Sequence, residues 1–406
     1  MKKILFFFSL LLVFQSTQAQ KANNLLIQET VEFLSSDELK GREIGTDGEE
    51  VAARFIVTKM KVLGLKPKGT NGYFQDFSVT PKTNPHAAHA VEQGNQINGK
   101  NVIGFLDHGA KNTIVIGAHY DHLGEGGEGS LHAGKESQIH NGADDNASGV
   151  ALMLGLAEKL SAEAYKTNNY LFIAFSGEEK GLWGSNYFCK NPTLDLKQVN
   201  YMVNFDMVGR LDTSKGLAIN GVGTSPDWKN QLEKVNKNDL KLILGESGTG
   251  PSDHTSFYLQ DIPVLHFFTG QHEDYHKPSD DAEKVNFEGI AIIQSMVLDL
   301  ILQTETKLEF TKTKDESEST PRFTVTLGVM PDYLFQGEGM RIDGVTEGKP
   351  AHKANLQKGD IVIQMGEIKV DGMQAYMKAL SEFKKGDKTM VKVRRGEEVL
   401  EEEVEF

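Results

Sequence analysis

Five short stretches of this 406-residue chain concentrate imidazole and carboxylate groups. They are His119-Tyr120-Asp121-His122, Gly142-Ala143-Asp144-Asp145-Asn146, Ser176-Gly177-Glu178-Glu179, Asp206, and Asp274-Tyr275-His276. A single His or Asp in a loop is usually a surface or capping residue. Here each stretch follows a β-like apolar run or sits in the loop beyond one, and five such coincidences are hard to explain as structure alone. Imidazole with carboxylate, and no cysteine, suits zinc better than manganese or cobalt. There are more carboxylates than one ion needs, which points to two metals sharing a bridging group.

The elements that must position these groups are legible around them. Ile114-Val115-Ile116, Tyr170–Phe175, Met202–Phe205 and Pro263–Phe267 are continuous apolar runs, as expected of strands buried on both faces. Tyr73–Val79 and Asn101–Phe105 are further short β-like runs. Helical spacing marks residues 24–34, a helix capped by Asp47 with Ala52, Phe55, Ile56, Met60 and Leu63 on its apolar face, and Ala147–Leu160. It also marks a short helix near Gly184–Phe188 and a long one over Phe287–Leu302. Strands alternating with helices predict an α/β fold: a three-layer α/β/α sandwich around a mostly parallel, mixed sheet. In such a sheet ligands bind at the carboxyl ends of the strands, where the five stretches fall.

Longer motifs turn this pattern into a resemblance. GAHYDH (117–122), GADDNASG (142–149), SGEEKGLWGS (176–185), NFDMVG (204–209), SDHTSF (252–257) and YHKPSDD (275–281) stand in order, with GREIGT (41–46) upstream. Across roughly residues 24–303 the chain resembles the di-zinc exopeptidases of metallopeptidase clan MH, in particular the secreted aminopeptidases of bacteria and fungi. The resemblance implies two zinc ions per chain. His119 and Asp206 would hold one, Glu179 and His276 the other, and Asp145 would bridge them. Glu178 would be the general base. Asp121 would hold the His119 ring through its second nitrogen, and Tyr275 would help stabilise a tetrahedral intermediate. The implied activity is removal of N-terminal residues from peptides. A carboxypeptidase, dipeptidase or glutaminyl cyclase of the same clan, and a non-catalytic peptide-binding protein, are the rival expectations.

Other polar residues have plainer expectations. Asp144 is expected as a loop or cap residue, and Asp145 could also cap Ala147–Leu160. His122, His132 and His140 are expected to be solvated or to brace loops. His254 should lie beside the ligands or in the pocket wall, and His266 and His272 should be structural. Cys189, the one cysteine, is expected as a small core residue and excludes an intrachain disulfide.

The two ends of the chain complete the expectations. Residues 1–19 have the layout of a secretory signal peptide: Lys2-Lys3, an apolar run over Ile4–Phe14, and small residues before Ala19. That implies export to the periplasm or outside the cell, with no membrane anchor. The catalytic domain is expected over residues 20–310, and the polar stretch 311–321 is expected as a linker that lets the domains fold separately. Residues 322–406 resemble a PDZ domain on TLGVMPDY (326–333), GMRIDGV (339–345) and GKPAHKANLQKGDIVIQMGEIKVDG (348–372). A helix over Met373–Phe383 and a hairpin turning at Arg395-Gly396 continue the match. Asn355 stands where glycine is usual, and Leu327-Gly328-Val329 departs from the usual carboxylate-binding loop. A PDZ-like domain implies a peptide or protein ligand added as a strand. The net charge of −14 argues against nucleic acid, which needs a basic face.

Overall fold

The computed structural model describes residues 24–81, 95–313 and 325–406, apart from positions 128, 133, 135, 305, 333, 336 and 347. The expected signal segment 1–19 and the stretch 314–321 lie outside the described residues. No helix among the described residues is long and apolar enough to cross a membrane.

The first unit is built on nine strands: β1 (Lys66–Pro67), β2 (Phe74–Val79), β3 (Ile97–Leu106), β4 (Thr113–His119), β5 (Asn169–Phe175), β6 (Val199–Phe205), β7 (Leu217–Asn220), β8 (Leu242–Gly245) and β9 (Val264–Phe268). Their order is β1-β3-β5-β4-β6-β9-β7-β8, with β2 paired to β3. The centre is parallel: β5 and β6 flank β4, and β9 follows β6. β3 and β7 run antiparallel to their neighbours β5 and β9, so the sheet is mixed.

Every residue of β4, β5 and β6 is buried. The two-residue period of a strand explains why both parities must be apolar. Ile114, Ile116, Phe172, Ala174, Val203 and Phe205 face one cluster. It also contains side chains from α1 (residues 24–34), α2 (Asp47–Val62), α3 (Gly149–Leu160), α5 (Trp228–Val235) and α7 (Phe287–Gln303). Val115, Leu171, Ile173, Phe175 and Met202 face a second cluster with α4 (Trp183–Lys190) and α6 (His254–Tyr258). Cys189 is buried there, without a disulfide.

Some local details differ from the expectations. The cap of α2 is Thr46, whose side chain accepts from Glu49 N–H, and Asp47 is the first helical residue. α3 starts at Gly149 with Ser148 at its N-cap. In the turn before it, Ala143–Ser148, the backbone of Asp145 and Asn146 leaves helical dihedrals, so Asp145 does not cap the helix. β7 and β8 are strands that short, weakly patterned runs did not announce.

The second unit holds β10 (Val329–Pro331), β11 (Met340–Val345), β12 (Ile361–Met365), β13 (Ile368–Lys369), β14 (Lys388–Arg395) and β15 (Glu398–Glu405). All its strand pairs are antiparallel, β10 ends the sheet, and α8 (Pro350–Lys353) and α9 (Met373–Ser381) cover it. It has its own core around Leu327, Ile342, Val362 and Val391. Asn355 takes the left-handed conformation at φ 57°, which asparagine tolerates in place of glycine. Asp360 is buried and held by Arg395 at 2.7 Å.

Candidate metal centre

His119 closes β4, Asp206 follows β6, and Glu178 and Glu179 follow β5 by three and four residues. Parallel register brings these strand ends to one edge of the sheet, against the Asp145 turn and the His276 loop. His119 Nε2 lies 3.3 Å from Asp145 Oδ1 and 3.4 Å from Asp206 Oδ1. His276 Nε2 lies 3.3 Å from Asp145 Oδ2 and 3.2 Å from Glu179 Oε2. Asp145 thus turns one oxygen to each half of the cluster.

These separations match a metal rather than a set of direct hydrogen bonds. Two ligands on a tetrahedral zinc with bonds of about 2.0–2.2 Å lie about 3.3–3.6 Å apart. The ring orientations agree. His119 Nδ1 donates to the Asp121 carbonyl at 3.2 Å and His276 Nδ1 donates to the Gly129 carbonyl at 2.8 Å. A carbonyl only accepts, so each Nδ1 carries its proton and each Nε2 is left to ligate.

A second imidazole also reaches Glu179. His122 Nδ1 is 2.7 Å from Glu179 Oε1 but 3.9 Å from Asp145 Oδ2, so His122, Asp145 and Glu179 form another close group of metal-binding side chains. The geometry around His276 fits a ligand better than that around His122. The 2.7 Å contact is hydrogen-bond length, too short for two ligands of one ion, and His276 rather than His122 lines the open cavity. His122 is fully buried and braces Glu179, where a solvated or loop-bracing residue was expected.

Asp121 acts differently from expectation. Its carboxylate stands 3.8 Å from His119 Nδ1, and its main-chain carbonyl is the nearer partner. The carboxylate accepts from Glu178 N–H at 3.1 Å and Glu179 N–H at 3.4 Å, so it positions the Glu178-Glu179 backbone. Burial raises this carboxyl to about 7, with His119 pulling the other way.

The other carboxyls separate sharply. Burial, together with the charges of Asp206, Asp253 and Glu179, pushes Glu178 well above the usual range despite His119. Burial and Asp145 also push against Glu179, but His276 and the hydrogen bonds from His122 and His276 hold it at about 2. Burial opposes the charge on His119, yet Glu178 and Asp206 raise it well above its ordinary value. Two adjacent glutamates in opposite protonation tendencies suit one proton carrier and one ligand.

Several supporting residues were not singled out in sequence. Arg42 is fully buried and donates to the carbonyls of Leu34, Tyr120 (2.8 Å), Asn141 (2.6 Å) and Gly142 (3.1 Å). Its burial lowers the guanidinium to about 10. Asp280 accepts from Asp144 N–H and Asp145 N–H at 2.9 and 3.0 Å, fixing the bridging turn. Asp144 accepts from Gly209 N–H at 2.6 Å and pairs with His272 at 3.1 Å, as a bracing residue. Asp253 is wholly buried and raised to about 7 by that burial. The His254 ring stacks on His266 with centroids 4.6 Å apart, and His266 lines the cavity. Motif spelling hinted at Arg42 and Asp280, which stand in GREIGT and YHKPSDD.

A cavity of about 490 Å³ opens from the cluster. Its lining includes Glu178, Tyr275 and His276 together with the apolar side chains of Met207, Ala218, Ile243 and Phe268. Tyr275 stacks on His276 at 3.8 Å.

Residues 101–301 match the family model described as Peptidase family M28, and residues 309–406 match that of the PDZ domain. Aminopeptidase YwaD of Bacillus subtilis is 29% identical over 213 residues, covering 49% of this chain and 43% of that protein. A probable leucine aminopeptidase of Arthroderma otae is 29% identical over 179 residues, 42% of this chain and 46% of the relative. The matches thus span less than half the length of these curated relatives. Among solved structures, a zinc aminopeptidase from Bacillus subtilis superposes with a TM-score of 0.54 at 18% identity, over 70% of this chain and 95% of its own. Porphyromonas gingivalis glutaminyl cyclase superposes with 0.55 at 16% identity, over 70% and 97%. At these identities the likeness shows the fold.

Proposed function

Because the chain carries a peptidase family M28 domain followed by a C-terminal PDZ domain, we propose that it is a di-zinc aminopeptidase that removes N-terminal residues from peptides. The observation that carries the polarity is the charge of the cavity. With the metal ligands and Glu178 set aside, its described lining keeps the carboxylate of Glu246 and contains no Lys or Arg. An α-ammonium group is complementary to that lining, whereas the α-carboxylate sought by a carboxypeptidase would need a cation.

When bound by His119, Asp206, Glu179, His276 and the bridging Asp145, a pair of zinc ions supplies Lewis acidity to a water and to the scissile carbonyl. The chain's own groups do the rest. Glu178 takes the proton of the attacking water and returns it to the leaving amine. Asp121 keeps Glu178 and Glu179 in register through their backbone N–H groups. Tyr275, which stacks on His276 and lines the cavity, would donate to the developing oxyanion. The apolar part of the lining takes the side chain of the residue removed.

The likeness to a glutaminyl cyclase favours a second reading, intramolecular cyclisation of an N-terminal glutamine. A panel of free and N-blocked chromogenic aminoacyl amides and N-terminal glutaminyl peptides, with a chelator and with added zinc, separates the readings. Release of the first residue from free amino termini alone, lost on chelation and restored by zinc, is expected. Ammonia release from glutaminyl peptides without hydrolysis of the amides would favour the cyclase. The character of residues 1–19 supports export, which N-terminal sequencing of the mature protein checks. The free edge of β10 supports a peptide ligand for the PDZ domain.

A further inference from the structure

The turn between β10 and β11 reaches out of its own domain. Leu334 is only 5% exposed and is buried with Ala218 of β7, Ile243 of β8 and Phe268 of β9. Those three residues line the cavity beside the metal centre. Gly270 sits under the same side chain: a Cβ there would stand 2.7 Å from Leu334 Cδ1. Gly270 begins the loop that carries Tyr275 and His276. The Leu334 turn is itself braced, with Leu334 N–H donating to Asp332 Oδ1 at 2.9 Å. Arg341 pairs with Asp332 and lies 4.9 Å from the Phe335 ring centroid.

A second contact reaches another part of the cavity lining. Where residues 311–321 were expected as linker, Thr311 N–H donates to the Thr224 carbonyl at 2.8 Å. Thr313 N–H donates to the Tyr258 hydroxyl at 3.0 Å, and Gly248 N–H donates to the Thr313 hydroxyl at 3.1 Å. Gly248 lies between Ser247 and Thr249, both in the cavity wall. A tail that served only as a tethered module would present a polar surface here, not a buried leucine.

We propose that the PDZ domain completes the substrate pocket: Leu334, as a positioning residue, seats the Ala218–Ile243–Phe268 wall and thereby sets the preference for a bulky apolar N-terminal side chain. This rests on the aminopeptidase reading. An apolar wall discriminates side chains by the volume and apolar area they bury, and it does so only while its own residues are held in place. With Leu334 withdrawn, Ile243 and Phe268 lose the packing behind them and the cavity loses its defined size. The loss should fall mainly on the bulky side chain, because His119, Glu178 and Asp206 stand on other segments.

The experiment compares wild type, Leu334→Asp and Leu334→Met, all as full chains. Leucine and alanine p-nitroanilides give kcat and KM, and hydrogen exchange is followed at residues 242–245 and 266–271. In Leu334→Asp the leucine-over-alanine ratio of kcat/KM should fall about tenfold, mainly through KM for the leucine substrate. Exchange in both segments should accelerate, and Leu334→Met should restore both properties. An unchanged ratio, or equal losses on both substrates, overturns the specificity role. Unchanged exchange overturns the docking itself. If wild type hydrolyses no amide, the aminopeptidase reading falls, and the exchange comparison still decides whether Leu334 holds the wall.

Discussion

The two halves of the proposed metal cluster are built on different supports. The His119–Asp206 half stands on strand ends: His119 is the last residue of β4 and Asp206 immediately follows β6, the central parallel pair of the sheet. The Glu179–His276 half stands on loops. Glu179 comes four residues after β5, and His276 sits at φ 54° in a long connection between β9 and α7. That second half is surrounded by compensating braces, with His122 on Glu179, the Gly129 carbonyl on His276 and Asp121 on the Glu179 backbone. Strand ends need little extra support to be precise, whereas loop ligands need partners that lock them. The loop half should therefore be the weaker and more adjustable metal site.

The largest effect that tests this contrast is removal of the residue the halves share. Asp145→Ala should lose both ions and all measurable hydrolysis, with elemental analysis as the check. Retention of one full equivalent of zinc would mean the strand-end half stands without its bridge. Next comes Glu178→Gln, which should keep both ions and lose ~10²–10⁴-fold in kcat. Loss of metal in this variant would move Glu178 into the ligand set.

Ligand substitutions then separate the halves directly. His276→Ala should leave one ion per chain, and stepwise chelation of wild type should draw the loop-half ion first. His122→Ala should keep both ions at saturating zinc but weaken the loop-half ion by ~10–100-fold, the usual effect of removing a group that orients a ligand. If His122→Ala removes that ion outright while His276→Ala does not, the two histidines exchange roles.

The smallest effect concerns the ground beneath the strand-end half. His266, on β9 beside β6, is pushed down to about 4, chiefly by burial. The unfolded chain protonates this imidazole near pH 6.5 and the folded protein does not. Its contribution to stability is therefore full above about pH 6.5 and is lost as pH falls towards about 4. At pH 5 the loss is about 2 kcal/mol. Denaturant melts of chelated protein at pH 7 and pH 5 should show a smaller acid-induced drop for His266→Gln than for wild type. Equal drops would mean His266 accepts its proton without unfolding.

The same contrast explains what could be seen in the sequence. β4, β5 and β6 are apolar at both parities because helices cover both faces, so their ends, and the groups they deliver, were readable. β7 and β8 are four-residue strands, too short for a period to register, and with them went the apolar wall of the cavity. His122, Arg42 and Asp280 were missed for another reason. Each is polar in a polar loop, and burial comes from partners 57, 100 and 136 positions away. Asp121 shows the limit of a motif: its place at the site was legible, but whether its side chain or its carbonyl faces His119 depends on a backbone turn. The cap at Thr46 rather than Asp47 is the ordinary one-residue uncertainty of helix ends.

Arg42 carries one more consequence. Its guanidinium gathers carbonyls from the end of α1, from the His119–His122 loop and from the segment leading into Asp145. Those carbonyls have a buried cation as partner only once the first helices have docked, and a buried acceptor left without a donor is costly. The family model matches from residue 101, but the carbonyls around the candidate metal centre draw on Arg42, upstream of it. A fragment trimmed to the matched region would contain every candidate ligand but none of the Arg42 donors that hold the Tyr120, Asn141 and Gly142 carbonyls, and it should bind metal weakly.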